Sequence, residues 1–75
     1  MPELRRVSGQ EAIGALERLG FVQTRQRGSH VVLKRQTIEG EVGCVVPLHR
    51  GLAIGTLRSI LRQAQVTLDE FVKNL

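Results

Sequence analysis

Apolar positions along this chain follow two different periods. Ala12, Ile13, Leu16 and Leu19 recur at the spacing of one helix face. Ser8 and Glu11 stand three apart just ahead of them, as a capping box requires, and Val7 and Ala12 are placed for a hydrophobic staple. Gly20 suits the left-handed residue that ends a helix. The pattern predicts a helix over residues 9–19.

From Phe21 the period shortens. Residues 21–27 read as a strand, with Phe21, Gln23, Arg25 and Arg27 on one face and Val22, Thr24 and Gln26 on the other. Gly28 breaks the strand with a tight turn. Ser29 to Lys34, carrying Val31-Val32-Leu33, reads as a second strand. Thr37-Ile38-Glu39-Gly40 reads as a hairpin loop inside a long stretch from Arg35 to Glu41. Glu41 to Pro47 is a third strand, which Pro47 ends because it has no N–H to donate.

Leu48 to Ile54 is then a loop. A second helix is expected over residues 55–65, with Leu57, Ile60, Leu61 and Ala64 as its stripe. Thr67 and Glu70 form a second capping box, opening a short third helix with Phe71, Val72 and Leu75. The order α-β-β-β-α-α describes an α+β fold. Helix stripes need a surface to cover, and a three-stranded antiparallel sheet joined by hairpins supplies one. The expectation is a two-layer sandwich in a single domain over residues 1–75.

Composition narrows the function. A chain of 75 residues buries only about 60% of its unfolded surface, so its core is modest. Its single cysteine, Cys44, excludes an internal disulfide and reads as a small buried apolar residue. No apolar run approaches the ~20 residues that cross a bilayer. The start, Met1-Pro2-Glu3-Leu4-Arg5-Arg6, has no apolar signal region, which points to the cytoplasm.

Lys and Arg number 11 against 7 acids, a net charge of +4 that favours a polyanionic partner. The cations concentrate where Arg25, Arg27, Lys34 and Arg35 surround His30, and where Arg50 adjoins His49. With two Phe and no Tyr or Trp, a base-stacking platform is disfavoured, so contacts to phosphates are expected instead.

His30 shares a strand face with Val32 and Lys34, opposite Val31 and Leu33. If the latter pair packs under the helices, His30 reaches solvent. Gly28 beside it lets a ligand approach the backbone closely. Such a histidine can take a proton from a ribose 2′-hydroxyl or give one to a leaving oxygen. From spacing alone, an ordinary surface histidine remains the simpler reading.

His49, in a basic loop, is a phosphate ligand, a second acid/base, or merely solvated. Ser29 is better suited to fixing the turn or binding phosphate than to acting as a nucleophile, because adjacent strand residues point apart. Arg25, Arg27, Lys34, Arg35 and Arg50 are phosphate-binding candidates, or simply a solvated face. Gly55-Thr56 can bind an anion at a helix start, but helix initiation alone explains it. Two His and one Cys without a clustered carboxylate make a poor metal site. Asp69 and Glu70 are better explained as helix-start residues than as magnesium ligands. No metal and no cofactor are expected.

One ordered set of segments is more specific than any single motif. It comprises Leu19-Gly20-Phe21, then Arg25-Gln26-Arg27-Gly28-Ser29-His30-Val31-Val32-Leu33, then Val46-Pro47-Leu48-His49. Gly55-Thr56-Leu57-Arg58-Ser59-Ile60-Leu61-Arg62-Gln63-Ala64 and Glu70-Phe71 complete it. Over nearly its whole length the chain resembles the HicA (YcfA-like) toxins of type II toxin–antitoxin modules. The resemblance implies a fold related to the double-stranded-RNA-binding domain and a ribosome-independent mRNA endoribonuclease activity. It implies that the catalytic histidine of the Gly-Ser-His motif is His30, and that a HicB-like antitoxin binds the toxin and blocks that site. The loop from Arg35 to Glu41, which looks long and carries two acids, and Gln65, where relatives often have glycine, depart from the pattern without touching His30. A non-catalytic RNA-binding module of the same fold is the alternative.

Overall fold

A computed structural model describes residues 6–75. The N-terminal reading on Met1 to Arg5 lies outside the described residues. The elements are α1 (Gly9–Arg18), β1 (Val22–Arg27), β2 (His30–Thr37), β3 (Gly40–Pro47), α2 (Ile54–Ala64) and α3 (Leu68–Lys73). This is the expected α+β order, with an antiparallel sheet of order β1-β2-β3.

Both capping boxes form. The Ser8 hydroxyl accepts the Glu11 N–H at 3.0 Å, and Glu11 Oε1 accepts the Ser8 N–H at 3.0 Å. Thr67 and Glu70 repeat the exchange at 3.1 Å in both directions. Helix ends leave backbone donors free, and each cap of this kind stabilises its helix by about 1 kcal/mol. Gly20 ends α1 at φ +97° as expected. Gln65 ends α2 in the left-handed region at φ 57°, an unusual conformation for a residue with a side chain.

The helices cover one face of the sheet. Val31 and Leu33 of β2 and Cys44 and Val46 of β3 point into the core. They meet Leu16 of α1, Ile60 and Leu61 of α2 and Phe71 of α3. Fully burying such a side chain stabilises the fold by about 1.5–3 kcal/mol. In α3 only Phe71 is buried; Val72 and Leu75 are exposed, and Leu75 lies beyond the helix end.

Two features depart from the alternation read along the chain. The first lies in β1. Gln23 pairs with Leu33 and Arg25 with Val32, so Thr24 is an extra residue, a β-bulge. A bulge shifts the phase of a strand. Phe21 is therefore buried and Gln23 reaches Glu17 of α1 at 3.2 Å, while Arg25 and Arg27 lie on the opposite, open face. The expectation that Phe21, Gln23, Arg25 and Arg27 share a face is corrected on this point.

The second is the stretch from Arg35 to Glu41. It is not a long loop. The β2–β3 ladder runs on through Arg35↔Val42 and Gln36↔Glu41 to Thr37↔Gly40, leaving only Ile38 and Glu39 in the turn. Gly40, at φ +127°, supplies the backbone that this turn needs. The outer edge of β3 is covered as well, since the Val45 N–H donates to Oε1 of Gln63 on α2 at 3.2 Å.

Candidate functional site

Most of the residues singled out in the sequence lie around the β1–β2 turn. Arg27 and His30 pair directly across it, so Gly28 and Ser29 make a two-residue loop. Only the first has positive φ, +58°, the requirement of a type II′ hairpin turn. An added Cβ on Gly28 would meet nothing within 4 Å. Glycine is needed here for its conformation, and the turn stays open to an approaching ligand. The Gln26 side-chain amide braces the loop by donating to the Gly28 carbonyl at 3.0 Å.

A second loop is tied to this turn. The Leu48 N–H donates to the Ser29 carbonyl at 2.7 Å, and the Gly9 N–H at the start of α1 donates to the His49 carbonyl at 2.8 Å. A Cβ on Gly9 would overlap the Pro47 carbonyl oxygen. Farther along, the Leu52 N–H donates to the Val7 carbonyl at 2.7 Å. Pro47 itself pairs with His30. The Gly-Ser-His turn, the Pro47–Arg50 loop and the first residue of α1 thus form one fixed corner of the molecule.

His30 is exposed on the open face, as its spacing against buried Val31 and Leu33 predicts. Arg27 and Arg25 flank it on β1, and neither has an acidic partner among the described residues. Lys34 shares the face but is paired with Glu41 at 3.3 Å, both side chains about half exposed. A bridge this exposed contributes ~0–1 kcal/mol, so an incoming phosphate competes with Glu41 at little cost. His49 and Arg50 are exposed on the second loop.

Arg35 lies elsewhere. It falls on the helix-covered face, where its guanidinium donates to the Leu19 carbonyl at 2.9 Å and stands 4.8 Å over the Phe21 ring. Its role there is to fasten the end of α1 to the sheet. The corner therefore gathers His30, Gly28, Ser29, Arg25, Arg27, His49 and Arg50, with Lys34 farther along the face, and excludes Arg35.

Cys44 is buried, and burial pushes its thiol up to about 11, which makes it an inert core residue. Among the described residues no group of three or more His, Cys, Asp and Glu side chains converges on a metal-sized site. No helix of the described residues is long and apolar enough to cross a membrane.

Gly9 and Gln63 escape a reading by residue type. Gly9 carried no distinguishing signal, because Gly14 stands in the same helix without a close neighbour but the Arg18 side chain. Gln63 carried none, because it acts on a strand edge that only the fold brings near.

The arrangement defines a small α+β protein whose open sheet face carries two arginines and an exposed imidazole beside one backbone-tied corner. The family model described as the HicA toxin of bacterial toxin-antitoxin matches residues 9–66. The chain belongs to the HicA toxin family and is a toxin of a toxin–antitoxin system. No curated protein sequence is close enough to count as a match. The matched span includes the whole corner from Gly9 to Arg50 together with α1 and α2, and ends before α3.

Proposed function

We propose that this toxin is a metal-independent endoribonuclease that cleaves mRNA in the cytoplasm, with His30 as the catalytic group and a HicB-like protein as its antitoxin. One observation carries the reading. His30 is exposed at the end of a two-residue hairpin, directly across from an unpaired Arg27, on the uncovered face of the sheet.

The chemistry follows from those positions. An RNA phosphodiester laid across the corner brings its phosphate to Arg27 and Arg25, with Lys34 and Arg50 as further cations. Gly28 lets the backbone come close, Ser29 offers a hydrogen-bonding group to the sugar–phosphate chain, and His49 stands on the adjoining loop. His30 takes the proton of the ribose 2′-hydroxyl. The 2′-oxygen attacks phosphorus, the bond to the 5′-oxygen breaks, and a 2′,3′-cyclic phosphate forms. The arginines stabilise charge that builds on the phosphoryl oxygens.

An antitoxin that silences this site needs acidic groups for the arginines or a surface that buries His30. The partner is therefore expected to present such a surface to the open face.

The test is cleavage of a defined RNA by wild type and His30→Ala, with product ends identified. A positioned acid/base contributes about 10²–10⁴-fold, so the variant is expected to lose that much rate while keeping its melting temperature. EDTA is expected to leave the wild-type rate unchanged. Cleavage by His30→Ala at the wild-type rate would overturn the assignment. RNA binding without any cleavage by wild type would favour the non-catalytic module instead.

A further inference from the structure

We propose that His49 is the second catalytic proton carrier of this site, acting as the general acid that protonates the leaving 5′-oxygen. The proposal rests on the endoribonuclease reading above and assigns a step which that reading leaves without a residue.

Transesterification of RNA moves two protons. One leaves the attacking 2′-hydroxyl, and one must reach the departing 5′-oxygen as its bond to phosphorus breaks. An alkoxide is a poor leaving group, so the second transfer matters as much as the first. The two groups stand on opposite sides of an in-line phosphorus. One imidazole held by a rigid hairpin cannot face both at once.

The structure carries a second imidazole on the loop tied to the His30 turn. Among the described residues His30 and His49 are the only histidines, both are exposed, and both belong to the same corner. His30 pairs with Pro47, and His49 follows two residues later. Two residues of chain therefore separate His49 from the position directly opposite His30. In the proposed complex the two imidazoles stand on either side of one phosphate.

The loop carrying His49 is also held more firmly than solvent exposure alone would require. The bond from Leu48 N–H to the Ser29 carbonyl, 2.7 Å, fixes its near side to the His30 turn. The bond from Gly9 N–H to the His49 carbonyl, 2.8 Å, fixes His49 itself to the start of α1. Leu48 between them packs against the core. Catalysis by a positioned acid needs this kind of backbone support, because small displacements of a reacting group cost rate steeply.

In the step itself, His30 takes the 2′-hydroxyl proton while His49 gives one to the 5′-oxygen. The phosphorus–2′-oxygen bond forms and the phosphorus–5′-oxygen bond breaks. The enzyme ends with His30 protonated and His49 neutral, and proton exchange with water restores the starting state.

The experiment compares wild type, His49→Ala and His30→Ala on two RNA oligonucleotides of one sequence. One has the natural 5′-oxygen at the cleavage site and the other a 5′-bridging sulfur, which departs as thiolate without needing a proton. His49→Ala is expected to lose about 10²–10⁴-fold on the oxygen substrate and to cleave the sulfur substrate within a few-fold of wild type. His30→Ala is expected to be slow on both. The His49 bond to Gly9 uses its backbone, so the variant keeps its fold, checked by its melting temperature.

Wild-type rates for His49→Ala on the oxygen substrate would overturn the proposal and leave the His30 assignment standing. So would an equal loss on both substrates, which marks a phosphate-binding role, or rescue of His30→Ala by sulfur in place of His49→Ala. Failure of wild type to cleave either RNA would remove the endoribonuclease reading along with the proposal.

Discussion

Gly9 and Gly14 lie in the same helix, and changing each to alanine is expected to move stability in opposite directions. On helix propensity alone both changes help, by at most ~1 kcal/mol each. Their surroundings decide otherwise. A Cβ at Gly14 would touch only the far end of the Arg18 side chain, at 3.5 and 4.0 Å, which is ordinary contact with a movable group. A Cβ at Gly9 would overlap the Pro47 carbonyl oxygen and crowd Leu48 Cα, which are backbone atoms of a loop tied down on both sides. Relieving such a clash costs about 1–3 kcal/mol. Moving the loop away also weakens the bond from Gly9 N–H to the His49 carbonyl, worth about 1 kcal/mol. The net expectation is a loss of about 1–3 kcal/mol for Gly9→Ala and a gain of up to ~1 kcal/mol for Gly14→Ala. In a domain this size 1 kcal/mol moves Tm by ~4–8 °C. Thermal unfolding followed by circular dichroism reads both. A Tm for Gly9→Ala at or above wild type would refute the close approach of α1 to Pro47, and with it the rigid corner on which both histidines are placed.

Two further outcomes follow from the geometry. Arg35→Ala is expected to destabilise the protein by about 2 kcal/mol, from a charge-assisted bond to the Leu19 carbonyl and stacking on Phe21. It should leave the salt dependence of RNA binding unchanged, whereas Arg27→Ala should lower that slope by about 0.7; a lower slope for Arg35→Ala would return it to the RNA face. Bonds from the Thr67 backbone and hydroxyl hold the Glu70 carboxyl below its ordinary 4.5. Its ionised form is therefore favoured by folding, and that contribution is present at neutral pH and lost on acidification below about that value. Glu70→Gln is expected to show a smaller drop in Tm between pH 7 and pH 3 than wild type, and an unchanged drop would count against the capping box as the cause.

Much of the fold was legible because its signals are local. Ser8 with Glu11, and Thr67 with Glu70, announce helix starts through bonds made within three residues. Val31 and Leu33 alternate with His30, Val32 and Lys34, so the exposed side of β2 could be read before any partner strand was placed. The ordered motif set likewise pointed to the family that the match over residues 9–66 shows.

What escaped depends on contacts between distant parts of the chain. β1 is exposed at all six positions, so no apolar alternation marks the phase change at Thr24. The polar run Arg35-Gln36-Thr37 looks like a loop because its pairing with β3 rests on backbone bonds that any side chain permits. Arg35 resembled the other cations of the middle segment, and only the ladder register puts it beneath the helices. Gly9 and Pro47 are far apart in sequence and meet only in the folded molecule.

The extra residue at Thr24 has a consequence for how this strand tolerates change. Phe21 must lie under the helices and Arg25 and Arg27 above the open sheet, yet Phe21 immediately precedes the one short strand that carries both arginines. Strict alternation would send them to the same side. The additional residue lets a single strand serve both layers. Thr24 contributes little through its own side chain, whose hydroxyl reaches the Val32 carbonyl only at 3.4 Å. Its letter can be rewritten at small cost, whereas its removal would either draw Phe21 out of the core or turn both arginines away from His30. Length, more than identity, is what this position holds constant.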